Sequence, residues 1–135
     1  MNKTRVFLGL DIGGQRIGVA SGDSVARLAR TQPTIMVDGQ EADTLQRLAA
    51  DLGVTDIVVG RPRNQAGEQT SQTQSVEETV AQLVQPLGLP IHWQDESVTS
   101  VIAEQRLAAR KKPYTKADID AEAAAIILQD YLETL

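Results

Sequence analysis

The chain contains no cysteine among its 135 residues. Disulfides, thiolate zinc sites and thiol nucleophiles are therefore excluded together. Aromatic residues are scarce, with one tryptophan, two tyrosines and one phenylalanine. A base-stacking platform is not expected from so few rings. The single histidine, His92, lies inside a strand-like run beside Trp93 and reads as a packing residue. There is no apolar run of about 18 residues, so no membrane span is expected. Net positive charge is lacking as well: the formal charge is −5. That argues against a general nucleic-acid coat protein. It leaves room for an acidic metal site beside a local basic patch. Residues 1–5 lead directly into a strand with no signal-peptide cleavage pattern, so a cytoplasmic protein is expected.

What is present is enough apolar material for one core, at 41% of residues. A single domain over 1–135 is expected. Residues 5–12 read as a first strand, apolar from Val6 to Leu10 and of the kind buried on both faces. Gly13 and Gly14 turn the chain into a second strand, 16–22. A third run, 26–37, reads as a strand bent near Pro33. The period then changes. Residues 40–52 place Leu45, Leu48, Ala49 and Leu52 on one helical face, closed by Gly53. Residues 56–60 form a short buried strand, and 61–72 a polar, mobile loop. A helix runs to about Leu87, a fifth strand covers 89–93, and helices cover 97–110 and 117–132. An antiparallel meander followed by βαβ crossovers predicts an α/β fold: a five-stranded mixed sheet flanked by helices.

Three acids stand out. Asp11 ends the apolar first strand, where an ionised carboxylate costs several kcal/mol unless compensated. Its plainer role is to end a strand at a turn. Asp95 and Glu96 follow the fifth strand, at the end of an open α/β sheet where ligands bind. Alternatively they supply first-turn charge to the next helix. Asp120 shares a helical face with Ala123, Ala124, Ile127, Leu128 and Tyr131, all apolar or aromatic. Its simpler role is again at a helix N-terminus. Asp118 and Glu122 point to the other side and are expected to be solvated. Asp11, Glu96 and Asp120 together would be a hard-oxygen set for Mg²⁺ or Mn²⁺, the ions of phosphoryl chemistry.

Positive charge is concentrated. Arg106, Arg110, Lys111, Lys112 and Lys116 occupy a stretch with no acid, between the last two helices. Arg61 flanks Pro62 after the fourth strand. Phosphate contacts are the expected role, with completion of a helix dipole as the alternative.

The segments LGLDIGGQRIGVA, VVGRPRNQAG, DES-T at 95–99 and IDAEAAAIILQDYL together resemble the YqgF family. That resemblance implies a ribonuclease-H-like fold similar to the RuvC resolvases. It implies a nuclease, either of the 5′ end of pre-16S rRNA or of Holliday junctions in DNA, working with Mg²⁺ or Mn²⁺ as a monomer or homodimer. It implies that Asp11, Glu96 and Asp120 are catalytic and hold the metal. It matches Gly60, Pro62, Asn64 and Gly67 to a family loop, and Arg16 to a retained cation. Arg16, Arg61 and Asn64 are thus expected nucleic-acid contacts beside the basic segment. Two features depart from the family, Gly14-Gln15 where a Thr-Lys or similar pair is frequent and Ser97 where an arginine is usual; a third departs from RuvC, in which a glutamate ends the fourth strand. A non-catalytic RNA-binding factor is a competing expectation. The Asp11-Ile12-Gly13-Gly14 turn also resembles a sugar-kinase phosphate motif, but the chain is short for the two lobes of such kinases.

Overall fold

The computed structural model describes residues 4–62, 71–96 and 99–135. Three strands come first: β1 (Val6–Ile12), β2 (Arg16–Asp23) and β3 (Arg30–Met36). Helix α1 (Glu41–Leu52) leads to β4 (Asp56–Pro62), and α2 (Ser71–Leu83) with a 3₁₀ turn at Gln85–Leu87 leads to β5 (Ile91–Glu96). Helices α3 (Thr99–Ala109) and α4 (Lys116–Leu132) complete the chain. The five strands form one sheet in the order β3-β2-β1-β4-β5. β1, β2 and β3 are antiparallel neighbours, while β4 and β5 run parallel to β1. This is the predicted mixed sheet of a meander and two crossovers.

Alternation along the central strands divides the core between two faces. Leu8, Leu10, Ile57 and Val59 pack with Leu45 and Ala49 of α1 and Val76 and Val80 of α2. Phe7, Ala20 and Val58 face the other way, onto Ala124, Ile127 and Leu128 of α4. The far side of α4 is covered as well, because Ala123 and Ile126 pack on Ala103 of α3. That double coverage explains why α4 is apolar around most of its circumference. Thr115 caps it: its hydroxyl accepts from the Asp118 amide, and the Asp118 carboxylate accepts from the Thr115 amide.

Several predicted boundaries move. Of the loop expected at 61–72, Arg61 and Pro62 instead belong to β4 and Ser71 and Gln72 to α2. Its centre, including Asn64 and Gly67, lies outside the described residues. The third strand starts at Arg30, not 26, and its bend is a bulge: Ile17 pairs with Ile35 but Val19 pairs with Gln32, so Pro33 and Thr34 face Gly18 alone. β5 extends beyond 93 and carries Asp95 and Glu96 within it, opposite Arg61 and Pro62 of β4.

His92 does pack, within a polar cluster at the opposite end of the sheet from Asp11. It stacks on Tyr131 with ring centroids 5.1 Å apart, and its Nε2 lies 2.8 Å from Asp56 Oδ2. Arg5 Nη2 donates to the same Oδ2 at 2.7 Å. Burial works against the Asp56 charge, but Arg5, His92 and the Thr55 hydroxyl outweigh it and hold the carboxyl down to about 2. Among the described residues, no helix is long and apolar enough to cross a membrane.

Candidate active site

Asp11 sits on the α4 face of β1, directly opposite Gly18 of β2. On its other side the pairing of Leu10 with Val59 continues to set Gly60 of β4 beside it. A carboxylate is thus flanked within the sheet by two residues that have no side chain. Each gap is filled from another element. A Cβ on Gly18 would collide with the Asp120 carbonyl oxygen and stand 3.3 Å from the Ala121 nitrogen. The first turns of α4 therefore press backbone to backbone against β2. The β3 bulge helps hold them, because Thr34 Oγ1 donates to the Ala117 carbonyl at 2.7 Å. A Cβ on Gly60 would collide with Glu96 Oε2 and stand 2.6 Å from Ile127 Cδ1. The Glu96 carboxylate reaches over β4 through that space. In this way β5 supplies an acid where the sequence offers none at the end of β4.

The electrostatics follow from this crowding. Burial, and then the neighbouring Asp120 charge, push the Asp11 carboxyl up to about 6. Burial, and then Asp11, push Glu96 up to about 8. Both shifts favour the protonated over the charged form, because burial and a neighbouring negative charge act on each carboxyl in the same direction. Glu96 Oε2 is buried and accepts no hydrogen bond among the described residues. Asp120 is differently placed: its Oδ2 accepts from Arg16 Nε at 2.6 Å, with about a quarter of each side chain exposed. Asp11, Arg16 and Asp120 line a cavity of about 290 Å³ with Gln72 and Ser100.

The structure couples Asp11 to both other acids but does not preassemble a cage. Among the described residues, no three acidic or imidazole side chains stand in an arrangement that would enclose a metal. The donor set nonetheless fits a divalent cation. It is all oxygen, its charges repel, and it leaves one buried acceptor unsatisfied. Asp11, Glu96 and Asp120 are the residues that would hold such an ion, with Arg16 giving up Asp120.

The expected phosphate contacts are scattered. Arg16 is at the site, on Asp120. Arg61 lies on the other face of the sheet, stacked over Trp93 at 4.3 Å with its Nε 3.6 Å from Glu77 Oε1. Arg106 and Arg110 reach Glu122 at 3.7 and 3.4 Å. Lys111, Lys112 and Lys116 are exposed, as is Asp118. Glu122, expected in solvent, is buried at 7% exposure. A single-face reading of α4 misses the cover provided by α3. The close-approach role of Gly60 escaped the sequence, whereas Gly18 reads there, with Gly13 and Gly14, as a glycine that lets a ligand or second strand come close; what comes close to it is the backbone of α4.

A family profile described as "RuvX: Holliday junction resolvase" matches residues 5–134. The chain belongs to this family. Among RuvX relatives, one from Synechocystis is 39% identical over 98% of this chain and 90% of its own length. One from Chloroflexus aggregans is 42% identical over 96% and 94%. Both carry the name "Putative pre-16S rRNA nuclease". The solved T. thermophilus RuvC in complex with a Holliday junction substrate shares the fold, with a TM-score of 0.58 over 96% of this chain and 94% of that one, at 16% identity. The ribonuclease-H-like architecture of this RuvX chain agrees with the expectation from its sequence.

Proposed function

We propose that this RuvX protein is a divalent-cation-dependent nuclease that hydrolyses phosphodiester bonds in structured nucleic acid. The observation that carries this reading is the row Gly18–Asp11–Gly60, which admits Asp120 from one side and Glu96 from the other. Mg²⁺ or Mn²⁺ held there would activate a water and neutralise charge building on the scissile phosphate. The chain's own groups prepare for it. Burial and mutual repulsion favour the protonated forms of Asp11 and Glu96, so cation binding there is expected to release protons. Arg16 neutralises Asp120 in the free protein. Once released, it is placed to pair with a phosphate oxygen as a planar, multi-donor cation.

The names of the relatives support precursor 16S rRNA as substrate, and our reading places its trimming at the 5′ end, in the cytoplasm. The family description favours a second reading, a four-way DNA junction, whose paired cuts would need two copies of the site. Cleavage of both substrates, with Mg²⁺ and with EDTA, decides between them. The expected result is cutting that EDTA abolishes and that Asp11→Asn lowers by about a hundredfold or more. Undiminished cutting by Asp11→Asn would remove the mechanism. Binding that survives EDTA with no cleavage of either substrate would instead favour a non-catalytic RNA-binding factor.

A further inference from the structure

A second concave surface lies on the other side of α4. Residues 120 and 122 project about 200° apart on a helix, so Glu122 faces away from the acid site. It forms part of the floor of a groove walled by the start of β3 and the end of α3. One section, about 320 Å³, is lined by Arg30, Arg106, Arg110, Glu122 and Gln129. The next, about 240 Å³, shares Arg110 and Glu122 and continues to Lys112 and Tyr114. Neither section shares a lining residue with the cavity at Asp11.

The charges here are arranged, not merely abundant. Glu122 Oε1 lies 3.7 Å from Arg106 Nη1 and Oε2 lies 3.4 Å from Arg110 Nη2. The Glu122 side chain is 9% exposed, yet the two arginines are 55% and 58% exposed. One buried carboxylate thus anchors two guanidiniums by single contacts. Their other N–H donors stay available to a ligand, since each guanidinium has five. Arg30 adds a cation from the opposite wall and Lys112 one further along. Tyr114, at the end of the run, is 36% exposed and presents a ring beside those cations.

The geometry points to a binding groove for a single strand of nucleic acid, separate from the catalytic acids. Phosphates would lie along Arg30, Arg106, Arg110 and Lys112, and one base would stack on Tyr114. A groove of this size, with cations on both walls, suits one strand better than a duplex, which is read over a broad minor groove. The inference rests on the reading that this chain acts on nucleic acid, but not on metal binding. A strand held here would be the unpaired flank of a structured substrate.

Fluorescence anisotropy with a labelled ten-nucleotide strand, as RNA and as DNA, and with the matching duplex tests it. All measurements are made in EDTA, so the acid site contributes no cation bridge. The wild type and Asp11→Asn are expected to bind the strand equally and more tightly than the duplex. Arg30→Ala/Lys112→Ala leaves both Glu122 pairs in place. It is expected to bind at least tenfold more weakly, with a log–log salt slope shallower by about 1.4, two contacts at about 0.7 each. Tyr114→Ala should lose about fivefold or more. Unchanged affinity in the double variant, or equal binding of duplex and strand, overturns the groove. Loss of strand binding in Asp11→Asn also overturns it, because the affinity would then belong to the acid site. A wild type that binds in this manner but cleaves nothing with Mg²⁺ contradicts the nuclease reading and leaves the groove standing.

Discussion

Glu96→Gln is expected to raise the melting temperature of the cation-free protein at pH 8 by about 5 °C while removing its cleavage activity. The reason lies in the sign of the proton linkage. An unfolded glutamate titrates near its ordinary 4.5, whereas folding lifts Glu96 to about 8 through burial and the Asp11 charge. Between those values the folded chain holds more protons than the unfolded one. Stability therefore falls as pH rises through that window, and the full penalty is present above it. Glutamine keeps the shape over Gly60 and carries no charge, so the Glu96 contribution to this fall is absent and only the smaller one from Asp11, complete near pH 7, remains. Added Mg²⁺ should reverse the ranking by stabilising the wild type much more than Glu96→Gln. Thermal melts from pH 5 to 8.5, with EDTA and with Mg²⁺, measure this directly. A wild type whose melting temperature in EDTA is flat over that range would contradict the crowded-acid picture. So would a glutamine variant that melts lower than wild type at pH 8.

Gly18→Ala is expected to be the most damaging alanine substitution among the described glycines. The new carbon would collide with the Asp120 carbonyl oxygen and stand 2.5 Å from the carbonyl carbon, both backbone atoms of α4. A flexible side chain could swing away, but a helix backbone cannot. The start of α4 must retreat, against the Thr34 hydrogen bond to Ala117 and the packing of Ala124 and Leu128 on the sheet. Overpacking of this kind costs roughly 1–3 kcal/mol. Because the displaced turn carries Asp120, cleavage should fall much further than stability, by about a hundredfold for a shift near 1 Å. Gly14→Ala is the stability control: nothing lies within 4 Å of a Cβ there. Its melting temperature should match the wild type. Equal melting temperatures and equal cleavage for Gly18→Ala and wild type would show that the α4–β2 contact does not position the acid.

The sequence disclosed the parts whose signal is local. β1 and β4 are short apolar runs bounded by turn residues. α4 has a long apolar stripe, which placed Asp120 on its buried face. Asp11 was visible because a carboxylate ends a buried strand. What stayed hidden depends on contacts between distant elements. Gln94, Asp95 and Glu96 look like a polar loop and become a strand only because β4 pairs with them. Glu122 looks solvated until α3 covers it. Arg61 looks like a phosphate contact beside the acids until strand alternation turns it onto Trp93. Gly18 reads as a point of close approach, but that the visitor is the α4 backbone, and that Gly60 makes room for Glu96, depends on elements distant in sequence.

The claim that three acids distant in sequence share one cation is tested most directly by titrating Mn²⁺ into the protein at pH 7.5 and following free Mn²⁺ by electron paramagnetic resonance. The expected result is saturable binding by the wild type that weakens at least tenfold in each of Asp11→Asn, Glu96→Gln and Asp120→Asn. Three variants that bind Mn²⁺ as tightly as the wild type would contradict it.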